Sequence, residues 1–283
     1  MLHFGGDCIE YKSPINWYGG KYKMRKPIID YFPKHQTYVE VFGGAGHILF
    51  AKDKSNIEIY NDINDGLINF FKVLREQPNK LYQKLKCTPY SRKEFEICCE
   101  EWKNEKEELE KARKWFVALI QSFSCKFAGS WSYDKTAKRA ISRWMSNLNK
   151  IKSAAERFRT VQIENLSFEK LIPKYDTENT LFYLDPPYVP DTRVSKKVYE
   201  KEMTVEQHEL LVELLLEIEG KAVLSGYKND IYKKLLDNGW ELRKIGDYEK
   251  STAKATEKGK RNYGEEYIWI NFEEKKQKQP KLF

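Results

Sequence analysis

The sequence predicts an α/β protein: a mostly parallel β-sheet with helices on both faces, interrupted by a helical insertion. Three observations carry this expectation. Short apolar runs of strand length alternate with amphipathic runs of helical period in the first and last parts of the chain. The middle, residues 79–155, has little strand character and breaks that alternation. A length of 283 residues suits one large α/β domain, or one domain with an insertion, and can bury a substantial core.

The elements follow in order. Tyr38-Val39-Glu40-Val41-Phe42 reads as a strand that ends in a glycine-rich turn, and residues 47–52 read as a helix start. Ile57-Glu58-Ile59-Tyr60 is a second strand, ending at Asn61-Asp62. Residues 66–76 have helical period, with Leu67, Phe70, Phe71 and Leu74 on one side. Pro78 and Pro89 then break the pattern. Residues 94–121 read as one amphipathic helical stretch, 122–133 as an aromatic, glycine-containing loop, and 141–158 as a further helix. Alternation resumes with Val161-Gln162-Ile163 and Leu181-Phe182-Tyr183-Leu184 as strands. Residues 204–219 form an amphipathic helix, in which Thr204 and Gln207 fit a capping box and Gly220 follows the end. Ala222-Val223-Leu224 and Trp240-Glu241-Leu242 are strands on either side of a helix over 230–237, and residues 267–272 are the last strand. No internal repeat is visible, and the lysine-rich tail, 273–283, is expected to be flexible.

Composition narrows the function classes. No apolar run approaches the roughly 18–20 residues that span a bilayer. Residues 1–11 contain Asp7 and Glu10 and no long apolar stretch, so they do not read as a secretory signal. The five cysteines (Cys8, Cys87, Cys98, Cys99 and Cys125) include no CxxC pair. An odd count without a signal points to reduced cytosolic thiols instead of a disulfide or zinc framework. The net charge is +8 and unevenly spread. Residues 124–160 hold nine Lys/Arg against two Asp/Glu, interleaved with Phe127, Trp131, Tyr133 and Trp144. A solvated helix face explains such a run, and so does a surface for phosphate contacts and base stacking. The acidic run over 94–110 reads as a solvated face.

The most telling stretch is Asp185-Pro186-Pro187-Tyr188, which arrives where an apolar strand stops. Ligands in open α/β sheets bind just beyond the carboxyl ends of strands. The prolines restrict the turn. A carboxylate and a carbonyl can accept the N–H groups of a flat, amino-bearing ring, and the tyrosine can cover its face. A plain surface turn is the alternative, since Asp-Pro pairs commonly start turns.

The turn Phe42-Gly43-Gly44-Ala45-Gly46 follows a strand and opens a helix, where glycines let the backbone approach a ligand closely. A tight βα turn with no ligand is the other reading. The dinucleotide fingerprint fails, because Leu49 stands where it wants Gly or Ala. Asp62 lies nineteen residues after Gly43, at the end of the second strand, where an acidic residue grips a ribose. The pair therefore points to a nucleoside ligand without a pyrophosphate. Trp17-Tyr18-Gly19-Gly20-Lys21 is not a phosphate loop: Ile15 stands where the first glycine should be, and Tyr22 follows the lysine.

Taken together, these residues resemble the D12 class of DNA adenine N6-methyltransferases, the Dam-like family. The matching pieces are Trp17-x-Gly19-Gly20-Lys21, Phe42-x-Gly44-x-Gly46, Asn61-Asp62-Ile63-Asn64 and Asp185-Pro186-Pro187-Tyr188, in the family's order and spacing. Glu206-Gln207-His208 and Leu224-Ser225-Gly226 add to it. The similarity covers nearly the whole chain but is thin over 79–160, where the family has its variable target-recognition region.

The resemblance implies a Rossmann-like methyltransferase sheet of seven strands. It divides the chain into a donor-binding part over 1–78, a helical target-recognition insertion over 79–155, the rest of the catalytic domain over 156–272, and the tail. It implies S-adenosylmethionine as methyl donor, S-adenosylhomocysteine as product, and no metal. Trp17 to Lys21 (Trp17, Tyr18, Gly19, Gly20 and Lys21) and the turn Phe42, Gly43, Gly44, Ala45 and Gly46 would bind the donor. Asp62 would take its ribose, Asn165 and Phe168 would lie around its adenine, and Asp185 would border it. His47 reads as a helix-cap or surface group, and His208 as structural.

The implied chemistry is direct attack of adenine N6 on the donor methyl. Asp185 and the Pro186 carbonyl would each accept one N6–H, Pro187 would stiffen the turn, and Tyr188 would stack on a base flipped out of the duplex. No Pro-Cys dipeptide occurs, which argues against cytosine C5 methylation. The related cytosine N4 enzymes usually carry Ser, and protein-glutamine methylators Asn, where this chain has Asp185. Lys126, Arg139, Arg143 and Arg261 are the expected DNA contacts. The expected partner is duplex DNA, with no membrane, a monomer or a dimer, and room for a cognate restriction nuclease. The expected setting is the cytoplasm, in a bacterial or phage-encoded protein. Two alternatives stay open: methylation of RNA or of another amino group, and a DNA-binding homologue without catalysis.

Overall fold

The structure, a computed structural model, describes residues 10–17, 19–133, 138–188, 203–249 and 263–273. Tyr18, Arg261 and nearly all of the 273–283 tail lie outside the described residues. In chain order the first elements are α1 (Arg25–Ile29), β1 (Thr37–Glu40), α2 (His47–Ala51), β2 (Ile57–Asn61) and α3 (Asp65–Glu76). The helical middle comprises α4 (Pro78–Cys87), α5 (Arg92–Glu101), α6 (Glu108–Ile120), a 3₁₀ turn (Phe123–Cys125) and α7 (Lys138–Phe158). Then come β3 (Gln162–Glu164), α8 (Phe168–Tyr175), β4 (Thr180–Leu184) and α9 (Val205–Glu217). The chain ends with β5 (Lys221–Gly226), α10 (Lys233–Asp237), β6 (Glu241–Glu249) and β7 (Tyr263–Ile270).

These elements form two compact units. One gathers residues 1–22, 44–53 and 64–163, and the other residues 23–43, 54–63 and 164–283. Among the described residues the sheet has seven strands, in the order β3-β2-β1-β4-β5-β7-β6. β1 pairs parallel with β2 and β4, and β4 with β5, whereas β7 runs antiparallel to β5 and β6. The expected α/β class and the seven strands are both found. The order reverses between β1 and β4, and at such a switch point the loops leaving adjacent carboxyl ends part and leave a crevice.

In the sheet-bearing unit, Val39, Val41, Ile59, Phe182, Leu184 and Leu224 lie in one core with Leu171 and Ile172 of α8 and Leu211, Val212 and Leu215 of α9. Side chains alternate across a strand, so Tyr38, Glu40, Tyr60, Tyr183 and Ser225 belong to the opposite face, and all five are buried. The Tyr38 hydroxyl donates to Glu40 Oε2 at 2.9 Å. Helix α9 begins with the expected capping box: the Gln207 N–H donates to Thr204 Oγ1 at 3.3 Å, and the Thr204 N–H to Gln207 Oε1 at 3.0 Å. Gly220 does not cap this helix, which ends in extended backbone at Ile218. The N–H groups of Glu219 and Gly220 instead donate to the Asp176 carboxylate, each at 2.9 Å, on the way into β5.

In the other unit, α3 buries Leu67, Phe70, Phe71 and Leu74, as its period predicts. Phe70 stacks on Phe116 with ring centres 5.3 Å apart, and Phe71 on Phe158 at 4.6 Å. Three boundaries differ from expectation. Pro78 opens α4 instead of breaking structure, since the first turn of a helix needs no N–H there. The stretch 94–121 is two helices, α5 and α6. They are held side by side where Arg113 bridges Glu94 at 2.6 Å and Glu110 at 2.7 Å. Helix α8 was not expected, and it carries Pro173 inside it.

Candidate active site

Four parallel-strand ends meet at the switch point of the sheet. β1 ends at the glycine turn, β2 at Asn61-Asp62, β4 at Asp185, and β5 at Gly226-Tyr227. The Val41 N–H donates to the Tyr183 carbonyl at 3.0 Å, and the Gly43 N–H to the Asn61 carbonyl at 2.7 Å, which sets these ends side by side.

Asn61, fully buried, is the tie between them. Its Nδ2 donates to the carbonyls of Val41 at 2.8 Å and Leu166 at 3.0 Å, and its Oδ1 accepts the Leu166 N–H at 2.8 Å. One side chain thus fixes the end of β1, the end of β2 and the loop before α8. The next residue along is likewise held: Asn165 donates Nδ2 to the Asp62 carbonyl at 2.8 Å. Phe42 packs against Phe168, ring centres 6.0 Å apart. Phe42, Asp62, Asn165 and Phe168, expected at one ligand, are therefore gathered around the ends of β1 and β2. Burial, followed by the nearby carboxylates of Asp62 and Glu40, holds the Tyr60 phenol well above its ordinary pKa.

The glycines of the turn have different physical reasons. A Cβ on Gly43 would lie 2.2 Å from the Tyr60 ring, so the strand end packs there without room for a side chain. Gly44 and Gly46 have φ of 49° and 67°, the left-handed region that glycine tolerates best. Ala45, between them, is buried.

At the end of β4, Asp185 is half-buried and accepts the Ser225 hydroxyl on Oδ1 at 3.2 Å. Ser225 in turn lies 3.2 Å from the Tyr183 hydroxyl. Pro186 is buried and Pro187 half-buried. Tyr188 lies against Tyr227, ring centres 4.1 Å apart, and its hydroxyl donates to both oxygens of Glu266 at 3.2 Å. Behind them Tyr232 is buried, with His208 Nδ1 at 2.9 Å from its hydroxyl. Burial first, then the Asp185 charge, raises the Tyr232 phenol. His208 thus has the structural use expected of it.

In the helical unit the N-terminal motif has its own packing. The Gly20 N–H donates to the Trp17 carbonyl at 3.1 Å, and Lys21 is buried. Trp17 stacks on Trp115 at 6.1 Å, and a Cβ on Gly44 would lie 3.1 Å from Trp17 Cδ1. His47 begins α2 without capping it. Its ring lies against Gly20, where a Cβ would approach to 2.9 Å, and edge-on to Tyr22 at 5.5 Å. Gly19 has φ 75°. Of the expected DNA contacts, Lys126 and Arg139 are exposed. Arg143 instead donates Nη2 to the carbonyls of Ile120 at 3.1 Å and Ser122 at 3.3 Å.

Sequence reasoning assigned no role to Asn61, Ser225, Tyr227 or Glu266. Asn61 and Ser225 stood inside quoted motifs, so a signal existed: a polar residue at the end of an apolar strand. Glu266 had no signal, because its partner is 78 residues away in the chain.

A seven-stranded sheet with β7 antiparallel between β5 and β6, a glycine turn after β1 and an Asp-Pro-Pro-Tyr turn after β4 defines the class: a Rossmann-like methyltransferase fold. A profile of the D12 class N6 adenine-specific DNA methyltransferases matches residues 17–270, and the chain belongs to that family. It is 27% identical over 206 residues to modification methylase StsI of Streptococcus sanguinis, across 64% of this chain and 29% of that protein. It is 33% identical over 70 residues to the DNA N-6-adenine-methyltransferase of Escherichia phage P1, 25% of this chain and 9% of the relative. The DNA adenine methylase of Vibrio cholerae serotype O1 is 36% identical over 64 residues, 23% of each chain. The chain thus spans less than a third of the length of the relatives it matches.

Proposed function

We propose that the protein is a site-specific DNA adenine N6-methyltransferase that transfers a methyl group from S-adenosylmethionine to a flipped adenine in duplex DNA by direct in-line attack. The observation that carries this reading is the exit of Asp185-Pro186-Pro187-Tyr188 from the carboxyl end of β4, at the switch point beside β1. Family membership and the named relatives support it.

The residues fit the donor by their chemistry. Asp62 offers a carboxylate to a pair of ribose hydroxyls. Phe42 and Phe168 offer apolar rings to an adenine, and Asn165, tied to the Asp62 carbonyl, offers polar atoms at its edge. On motif order alone, the same role is proposed for Trp17, Tyr18, Gly19, Gly20, Lys21, Gly44, Ala45 and Gly46. When bound, S-adenosylmethionine supplies a methyl group already activated by its sulfonium charge.

The chain's own task is to make adenine N6 a nucleophile. Its lone pair is delocalised into the ring. Asp185 accepts one N6–H and the Pro186 carbonyl the other, which favours a nitrogen that is pyramidalising as it attacks. Preorganised acceptors and orientation supply the rate. Asp185 need not be a strong base, because the proton becomes acidic only as the new bond forms. Tyr188 covers the face of the flipped base. Lys126 and Arg139 are proposed to meet phosphates, which fixes position but does not choose sequence.

The test is incubation with labelled S-adenosylmethionine and duplex DNA, RNA or protein, followed by digestion. N6-methyladenine from duplex DNA is expected, and label in RNA alone would overturn the reading. Asp185→Ala should keep donor affinity within about tenfold and lose transfer.

A further inference from the structure

We propose that Tyr183 and Ser225 form a two-hydroxyl relay that orients the Asp185 carboxylate, so that both are positioning residues for methyl transfer. The inference rests on the reading of Asp185 as an N6–H acceptor.

The atoms form one chain of contacts. Ser225 Oγ is 3.2 Å from Asp185 Oδ1, and the Tyr183 hydroxyl is 3.2 Å from Ser225 Oγ. Ser225 has no exposed surface and Tyr183 almost none. Hydrogen-bond arithmetic fixes the direction. A carboxylate only accepts, so the single Ser225 proton goes to Asp185, and Ser225 Oγ must then accept from Tyr183. Both protons point toward Asp185.

The placement follows from the sheet. β4 and β5 are parallel neighbours, with Tyr183 opposite Val223 and Leu184 opposite Leu224. Tyr183 and Ser225 share the face opposite the apolar core that holds Phe182, Leu184 and Leu224. Asp185 is the first residue beyond β4, and Ser225 lies on the adjacent strand within reach of it.

A buried hydroxyl is costly unless paired. Packing alone would be met by Ala or Val at position 225 and Phe at 183. The two hydroxyls satisfy each other and end on a carboxylate, a charged acceptor and hence the stronger kind of partner. What they supply is a fixed rotation of the Asp185 carboxylate about its Cβ–Cγ bond. That matters for an acceptor that must meet an amino hydrogen while the nitrogen is aimed at the methyl carbon.

The experiment compares wild type, Ser225→Ala, Ser225→Thr, Tyr183→Phe and the Ser225→Ala/Tyr183→Phe double variant in methylation of duplex DNA, with Asp185→Ala alongside. Tyr183→Phe removes one oxygen and keeps the ring, so it reads the relay without a cavity. A kcat about tenfold lower in Ser225→Ala and Tyr183→Phe, with KM for donor and DNA within about twofold, is expected. The double variant should be no worse than the poorer single variant by more than about twofold, because both act through one chain of bonds. Ser225→Thr, which keeps the hydroxyl, should recover most of kcat. The relay is overturned if Tyr183→Phe keeps kcat within twofold, if the losses fall on KM, or if the two losses multiply. Inactive Asp185→Ala beside a normal Tyr183→Phe removes the relay alone. A near-normal Asp185→Ala removes the underlying reading.

Discussion

Tyr188 donates its hydroxyl to both carboxylate oxygens of Glu266, at 3.2 Å each, and so ties the last residue of the Asp-Pro-Pro-Tyr turn to a buried acid on β7. This anchor lets the stacking proposed for the ring be tested apart from the contact that the hydroxyl makes. Tyr188→Phe keeps the ring and should lower single-turnover methylation about tenfold, the loss of roughly 1.5 kcal/mol for a hydrogen bond to a charged group. Tyr188→Ala should lose a further tenfold or more, since base–aromatic stacking adds about 1–3 kcal/mol. Equal rates for wild type and Tyr188→Phe would show that Glu266 does not orient the ring.

Asn61 ties strand ends together and its neighbour Asp62 is the proposed ribose ligand, so their substitutions should part company. Asp62→Ala should weaken S-adenosylmethionine binding about tenfold or more, measured by calorimetry, with little change in melting temperature. An unchanged dissociation constant would sink the ribose role. Asn61→Ala leaves the Val41 and Leu166 carbonyls and the Leu166 N–H without their partner. It should cost about 2–4 kcal/mol of stability in denaturant unfolding, since buried polar groups left unpaired cost more than a formed bond contributes.

The strand ends were legible because strand period and breakers are local properties of the sequence. Asp62 and Asp185 were found there for the same reason. The division of 94–121 into two helices was not legible: the turn between α5 and α6, through Trp102 and residues 103–107, contains neither Gly nor Pro and continues the charge pattern. Helix α8 was hidden by Pro173. The Asn61 tie, the Ser225 contact and the Glu266 anchor depend on residues brought together by strand order, and no spacing within one segment encodes that.

Gly43 gives a test of why the turn is glycine-rich. A Cβ there meets Tyr60 Cε2 at 2.2 Å and the Asn61 carbonyl at 2.8 Å. Gly43→Ala should destabilise the fold by about 1–3 kcal/mol, as overpacking does. Tyr60→Leu in the same chain should recover part of that loss, and a double-mutant cycle should show coupling between the two. Additive losses would mean that the ring is not what excludes a side chain at position 43.

The Arg113 cluster predicts a pH dependence of stability. Burial alone would raise the Glu110 carboxyl, but the hydrogen bonds and charges of Arg113 and Lys84 outweigh it and bring it from 4.5 to about 2. A depressed folded pKa contributes stability above the unfolded value, lost as pH falls through the folded one. Wild type should therefore lose stability between about pH 4.5 and 2, and Arg113→Ala should lose less over that window because its Glu110 keeps only the Lys84 partner at 2.7 Å. Chemical denaturation at stepped pH reads this directly. Parallel curves for the two proteins would contradict it.

The basic stretch should divide by burial. Lys126 and Arg139 are exposed, whereas Arg143 donates to the carbonyls of Ile120, at the end of α6, and Ser122, just beyond it. A phosphate contact releases condensed counterions, so each one lost should reduce the slope of log K against log salt by about 0.9. Lys126→Ala and Arg139→Ala should each show that decrement in DNA binding while melting like wild type. Arg143→Ala should leave the salt slope unchanged and lower the melting temperature, because two carbonyls lose a charged donor. Were Arg143→Ala to shift the slope and leave stability intact, its contacts with the α6 end would be incidental and the arginine would belong to the DNA surface.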